Sequence, residues 1–332
     1  MKVALFGFGH MNKISIKNAT EQGYEVVAVI GHHNVGEDAG VVAGIDAINV
    51  PITHSSQAKE VLMATKPQVC IVATRSLLDD VSSTLLLLAE CRINAVTICE
   101  EAFYSWNTNT EMTTKIDKAF RDNAVTCSAS GAQDVYWGYL PSLMLGITHK
   151  VEQMNFDVSF NVSDYGIALL QAVGCGLTAE EFNEKYVTNE KAVPSYVWNS
   201  NEWLCGAMKW KIISTTQQYK PCIATVDIET PMGLMKAGTI VGSEAIVTTV
   251  AETFKGNTVT IIASQTAKAY RPDEEDKNNW VIKGEPNLEI QCKKPDTVGI
   301  TVASAVNRLQ SLVDARAGYV PSFELEAPKN NF

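Results

Sequence analysis

Two glutamates, Glu100 and Glu101, stand together directly after an apolar run, Ala95–Cys99. If that run is a parallel strand, the pair lies beyond its carboxyl end, where open α/β sheets place their ligands. Side chains alternate along an extended segment, so only one of the two can face such a site. A carboxylate there can hold ammonium, stabilise a cationic iminium or shuttle a proton. The plainer alternative is a loop cap for one glutamate and a lysine partner for the other. The other segment with chemical content is Gly7-Phe8-Gly9-His10-Met11-Asn12. Here Gly7 would permit a tight turn, and Gly9 would let a dinucleotide pyrophosphate approach a helix N-terminus. Asn12 replaces the third glycine of the usual fingerprint, so the position of the segment, between a first strand and a first helix, carries the inference.

The end of the second strand decides between NAD and NADP. An acid there would bind the ribose 2′-hydroxyl, but Ile30 is followed by Gly31-His32-His33-Asn34. A small residue and then donors leave room for a 2′-phosphate, and Thr74 and Arg75 follow the next strand and add a charge. NADP(H) is therefore favoured, with NAD(H) as the alternative; against this, His32 and His33 also read as plain surface-loop residues. Trp137 and Tyr165 lie near element ends, where each would wall an apolar pocket, although a single aromatic is more often core. Trp203 and Trp210 are spaced to share one helix face and read as packing residues. No arginine occurs between Arg121 and Arg271. A bidentate guanidinium is the usual grip on a substrate carboxylate, so the substrate expected is a small, mostly apolar carbonyl or amine.

These residues need a frame. Lys2–Phe6, Glu25–Ile30, Val69–Ala73, Ala95–Cys99 and Ala124–Cys127 read as buried parallel strands, with helices at Met11–Gln22, Ser56–Thr65, Leu77–Cys91 and Thr110–Asp122 between them. That alternation predicts an α/β, Rossmann-type doubly wound sheet. After Gln133 the rhythm changes. A helix over Asp134–Leu145 is followed by period-2 segments, Gln153–Asn161, Cys222–Glu229, Leu234–Thr253, Thr258–Lys268 and Trp280–Gln291. They predict an α+β second domain with a mainly antiparallel sheet. Helices are expected at Thr178–Tyr186, opened by a Thr178/Glu181 capping box, at Asn199–Ile212 and at Val298–Val313. The expected domains are 1–132 for dinucleotide binding, 133–297 for substrate binding and dimerisation, and 298–332 as a C-terminal helix and tail returning to the first.

The 332 residues carry a net charge of −10, with 46% hydrophobic and 19% charged side chains. This acidic balance argues against nucleic-acid binding, which needs clustered Lys and Arg. No apolar run is long enough for a membrane span, and the N-terminal strand leaves no room for a signal peptide. The 8 cysteines include no CxxC pair and no matching histidine spacing, so no metal site is expected. They read as reduced thiols in a cytoplasmic protein.

Taken together, Gly7–Asn12, the Val35–Gly44 stretch, Cys99-Glu100-Glu101, Gln133–Trp137, Val306-Asn307-Arg308 and Gly318-Tyr319-Val320 resemble native NAD(P)H-dependent amine dehydrogenases. These are relatives of 2,4-diaminopentanoate dehydrogenase with a dihydrodipicolinate-reductase-like architecture. The resemblance implies reversible reductive amination: carbonyl, ammonia and NAD(P)H give a primary amine. It maps the catalytic glutamate best to Glu100, with Glu101 one residue away, and the pocket to Trp137, Tyr165 and Gln133. It also implies a homodimer formed through the second domain's sheet, including Ile240–Val250. Gly31 departs from the acid frequent in the family, which puts NAD preference in doubt. The His-His and Lys-x-Asp-x-Pro-Ser-Gly-Thr elements of the dihydrodipicolinate reductases are missing. Rival readings are a diamino-acid dehydrogenase, a non-catalytic NADP(H) sensor, and carbonyl reduction without ammonia. The last needs a proton donor such as Tyr104 or Tyr165, neither of which sits in a Tyr-x-x-x-Lys pattern.

Overall fold

Strands that are apolar on both faces need helices on each side, and the first third of the chain supplies part of them. The computed structural model describes residues 1–189 and 193–330. They form two compact units, Met1–Tyr139 with Asp296–Phe332, and Leu140–Pro295. The first unit begins β1 (Lys2–Phe6), α1 (His10–Glu21), β2 (Glu25–Gly31), α2 (Ala39–Ala43), β3 (Ile52–His54), α3 (Ala58–Thr65), β4 (Val69–Val72), α4 (Leu78–Glu90), β5 (Asn94–Thr97), α5 (Thr110–Asp122) and β6 (Thr126–Ala129). A six-residue π-helix, Asp134–Tyr139, follows. The strands lie in the order β6-β5-β4-β1-β2-β3, all parallel. The order reverses between β1 and β4, which defines the switch point where such sheets bind ligands. Two elements escape the sequence pattern, β3 and α2, because three and five residues show no period.

In the second unit the elements are α6 (Leu140–Gly146), β7 (Lys150–Asn161), α7 (Ile167–Ala172), α8 (Ala179–Phe182), α9 (Tyr196–Met208), β8 (Lys211–Ile223), β9 (Ile228–Thr230), β10 (Gly233–Met235), β11 (Ile240–Glu252), β12 (Thr258–Lys268), β13 (Lys277–Glu285) and β14 (Leu288–Lys293). A six-stranded sheet runs β14-β13-β7-β12-β11-β8, antiparallel except at β12/β7. Four expectations are corrected. The helix placed at Asn199–Ile212 ends at Met208, because Lys209 turns left-handed (φ 55°) and the Trp210 N–H closes on the Cys205 carbonyl at 2.8 Å. Trp210 therefore does not share a helix face with the fully buried Trp203. Cys222–Glu229 is not one strand: Cys222 and Ile223 end β8, a Thr/Gln-rich edge strand whose alternation is polar, and β9 begins only at Ile228. Leu234–Thr253 splits at a turn containing Gly238 (φ 89°), and Trp280–Gln291 is a hairpin rather than a single strand.

The chain then returns to the first unit through α10 (Thr297–Asn307), α11 (Leu309–Val313) and β15 (Gly318–Tyr319), which extends the parallel sheet beside β6. The alternation of each strand divides the core. Ala4, Cys70, Val72 and Ala95 meet Leu85, Leu88 and Phe120 of α4 and α5 on one face. Val3, Leu5, Ile71 and Val96 meet Ile16, Val302, Val306 and Leu309 of α1, α10 and α11 on the other. The C-terminal helices thus complete a layer that α1 alone cannot cover.

Candidate active site

At the switch point Gly7 has φ +86°, and a β-carbon there would lie 2.4 Å from the Ala73 carbonyl oxygen. Both facts require glycine. The Gly7 and Phe8 N–H groups donate to the Ile30 carbonyl at 2.9 and 3.2 Å, which ties the turn to β2. Gly9 precedes α1 with no side-chain cap, and nothing lies within 4 Å of where its β-carbon would be. Open space at a helix N-terminus fits a dinucleotide pyrophosphate. His10 is exposed, while Phe8 and Met11 are half-buried against the second core face. Asn12 is fully buried, and its Nδ2 donates to the carbonyls of Phe6 (3.0 Å), Gly7 (3.2 Å) and Ile71 (3.3 Å). It fastens α1 to the ends of β1 and β4 with hydrogen bonds, where the fingerprint glycine would do so by close packing.

Gly31 is buried, and a β-carbon there would come within 3.2 Å of Phe8 Cβ. His32, His33 and Asn34 follow it, all exposed. Asn34, left-handed at φ 56°, donates to Glu37 Oε1 at 3.0 Å and so serves its own turn. His32 meets His54 edge-to-face at 5.2 Å, and its Nδ1 lies 3.4 Å from Ser55 Oγ. His54 and Ser55 went unremarked in the sequence because β3 is too short to read; the strand places them beside the end of β2. Thr74 and Arg75 are exposed just after β4.

The two glutamates have different surroundings. Glu101 is buried, and its Oε2 accepts the Leu78 N–H at 2.7 Å. Leu77, at the cap position of α4, has no side-chain oxygen to offer that first turn, so Glu101 supplies it. Glu100 is half-buried, and its carboxyl is hydrogen-bonded to the Ser76 hydroxyl. Burial pushes both carboxyls above the ordinary glutamate value, against the pull of Ser76 on Glu100 and of the Leu78 N–H on Glu101. The short turn Glu101–Phe103 is held from β15, where the Tyr319 hydroxyl donates to the Ala102 carbonyl and accepts from Ser105 Oγ.

Trp137 is buried and Gln133 half-buried in and beside the π-helix of the first unit. Tyr165 belongs to the second unit, on the turn after β7; it is 40% exposed and edge-on to Phe160 at 6.1 Å. The arginines are mostly committed. Arg121 pairs with Asp117, Arg271 with Asp273, Arg308 with Asp134 and Arg316 with Glu324. Among the described residues no three His, Cys, Asp or Glu side chains gather as metal ligands. A hollow of about 430 Å³ lined by Lys66, Arg92, Asn94 and Val313 lies at the opposite edge of the sheet, beside the N-terminal ends of β4 and β5.

A sequence profile described as the 2,4-diaminopentanoate dehydrogenase C-terminal domain matches residues 140–331. Over 99% of this chain and 94% of the relative, the sequence is 24% identical to 2,4-diaminopentanoate dehydrogenase of Acetoanaerobium sticklandii. A shorter stretch, 16% of this chain, is 43% identical to 21% of a 4-hydroxy-tetrahydrodipicolinate reductase of Archaeoglobus fulgidus. The solved amine dehydrogenase of Mycobacterium smegmatis matches with a TM-score of 0.91 and 29% identity, covering 99% of this chain and 97% of that one. The WlbA dehydrogenase of Bordetella pertussis, solved with NADH and UDP-GlcNAcA, shares the fold alone. Its TM-score is 0.55 at 15% identity, over 93% of this chain and 88% of that one. Fold and relatives define an NAD(P)-dependent oxidoreductase of the amine and amino-acid dehydrogenase class. The profile spans more than half of the sequence, and the chain belongs to the 2,4-diaminopentanoate dehydrogenase family.

Proposed function

We propose that the protein carries out reversible, NADP(H)-favouring reductive amination of small aliphatic or cyclic aldehydes and ketones with ammonia. The observation that carries this is the unequal employment of the glutamates: Glu101 is spent on the Leu78 N–H, while the half-buried Glu100 has a hydroxyl partner. Glu100 orients ammonia for addition to the carbonyl and, once water is lost, stabilises the iminium cation. The cation in turn favours the ionised carboxylate, offsetting the effect of burial. Gly7 to Asn12 would hold the dinucleotide's pyrophosphate, and His32, His33, Asn34, Thr74 and Arg75 surround the adenosine end. When bound, the nicotinamide supplies hydride for the iminium carbon. Trp137 and Gln133 exclude water and shape the substrate volume. The working assembly is a homodimer through the second unit's sheet, and the setting is cytoplasmic, in keeping with cysteines that are all free.

A second reading, oxidation of a diamino acid, draws on Arg75, which is exposed at the ligand edge and makes no ion pair among the described residues. Consumption of NADPH and NADH with cyclohexanone and a short aldehyde, with and without ammonium, separates the readings. Ammonium-dependent oxidation is expected, faster with NADPH. Oxidation without ammonium would replace amination by carbonyl reduction. Turnover confined to 2,4-diaminopentanoate would establish the second reading, and tight cofactor binding with no turnover would leave a sensor.

A further inference from the structure

Among the described residues, the first unit buries one ion pair, joined through a single Nε–Oδ2 contact. Arg308, between α10 and α11, meets Asp134 at the start of the π-helix with Nε to Oδ2 at 2.5 Å, both side chains wholly excluded from solvent. Ser130 Oγ donates to the same Oδ2 at 3.0 Å. Arg308 Nη1 donates to the Glu326 carbonyl at 2.7 Å, and the guanidinium lies 5.0 Å from the Tyr139 ring centre. Tyr139 ends the π-helix, and its hydroxyl donates to the Leu325 carbonyl at 3.0 Å and to that of Ser322. Side chains therefore hold both ends of the π-helix, and the same two residues hold segment 322–326.

A buried ion pair is a poor source of net stability. Taking the charges out of water is costly, and apolar residues of similar volume often do as well or better. Such a pair does impose direction, because a planar fork accepts its carboxylate only from certain angles. The element it grips needs that. π-helical turns are rare and occur mostly as single-turn insertions at functional sites. Relaxation to an α-helix would drop one residue from the turn and re-aim the side chains within it, Trp137 among them.

We propose that Asp134 and Arg308 are a positioning pair: they hold the π-helical register and so the aim of Trp137 and Gln133 toward the substrate, with the 322–326 segment tied into the same clamp. This rests on the pocket role given to Trp137 above. It also removes Arg308 as a receptor for a substrate carboxylate.

The test is the double variant Asp134→Leu/Arg308→Met, which discards both charges and keeps volume, measured by Tm, by NADPH titration and by amination kinetics on cyclohexanone and a linear aldehyde. Expected are a Tm no lower than the parent's and an NADPH Kd within about twofold. The cyclohexanone KM should rise roughly tenfold or more with a smaller change in kcat, as small displacements of positioning groups produce. A stable double variant with parental KM and parental preference between the two substrates overturns the proposal. Should the double variant fail to fold, Arg308→Lys decides, since it keeps the charge and loses the fork: a raised KM supports the pair, a parental KM overturns it. Trp137→Ala separates the two layers. If that variant leaves KM unchanged, the pocket reading itself fails; if it raises KM while the pair variants do not, only the clamp is wrong.

Discussion

The turn at Gly7–Asn12 and the segment at Glu100–Phe103 both lie beyond carboxyl ends of strands, yet they are built differently. The first is local. Its path follows from one glycine at φ +86° with no room for a β-carbon, and from an asparagine whose amide reaches Phe6, Gly7 and Ile71. The second is assembled from far away. Glu101 answers the Leu78 N–H of α4, Tyr319 arrives from β15 to hold Ala102, and the nearby π-helix is gripped by Arg308. A turn made of backbone tolerates little change in sequence. A segment made of borrowed side chains can give adjacent, identical residues different surroundings.

The sharpest way to break this contrast is to exchange the duties. Glu100→Gln should lower amination kcat by about 10²-fold or more while NADPH affinity changes less than about twofold. Glu101→Ala should keep most turnover per folded molecule and lose roughly 1–2 kcal/mol in urea unfolding, through the lost helix cap. The reverse pattern would move the catalytic duty by one residue. Gly7→Ala comes next: a forced left-handed alanine against the Ala73 carbonyl should weaken NADPH binding by on the order of tenfold, readable by titration. An unaffected Kd would mean the turn is not the cofactor's seat.

Smaller effects sharpen the comparison. Asn12→Ala should cost about 1–3 kcal/mol, since buried carbonyls lose their donor, and chemical denaturation would show it. His32→Ala should reduce the NADPH over NADH preference several-fold with little change for NADH; an unchanged ratio would return His32 to the surface loop. The mildest prediction concerns pH. Burial holds Glu100 above its ordinary 4.5, so kcat/KM should fall on acidification through a limb above that value, and Glu100→Gln should lack the limb. In stability the sign is opposite. Below the ordinary value the carboxyl is protonated folded or unfolded, and burial carries no penalty. As pH rises through the raised value, the folded state must ionise a poorly solvated group and stability is lost. At pH 8 Glu100→Gln should therefore melt on the order of a degree or two higher; a lower Tm would contradict the cause given for the shift.

What local sequence determined is what depends on neighbours in the chain. The five parallel strands follow from continuous apolar runs, the glycine turn from a φ only glycine takes freely, and the start of α8 from Thr178 and Glu181, whose reciprocal hydrogen bonds both form. Lys209 ending α9 ahead of Trp210, and β8 standing as a polar edge strand, lay outside that reach because neither carries a hydrophobic period. The residue pattern alone left the duties of Glu100 and Glu101 open, and only the family resemblance favoured Glu100, since nothing within a few residues distinguishes them. Only the tertiary structure put the N-terminus of α4 beside one of them, and only the returning C-terminal segment brought Tyr319 and Arg308 to the turns they hold. A hydrogen-bond partner about 200 residues distant leaves no periodicity to read; it is selected by which surfaces the folded sheet brings into contact.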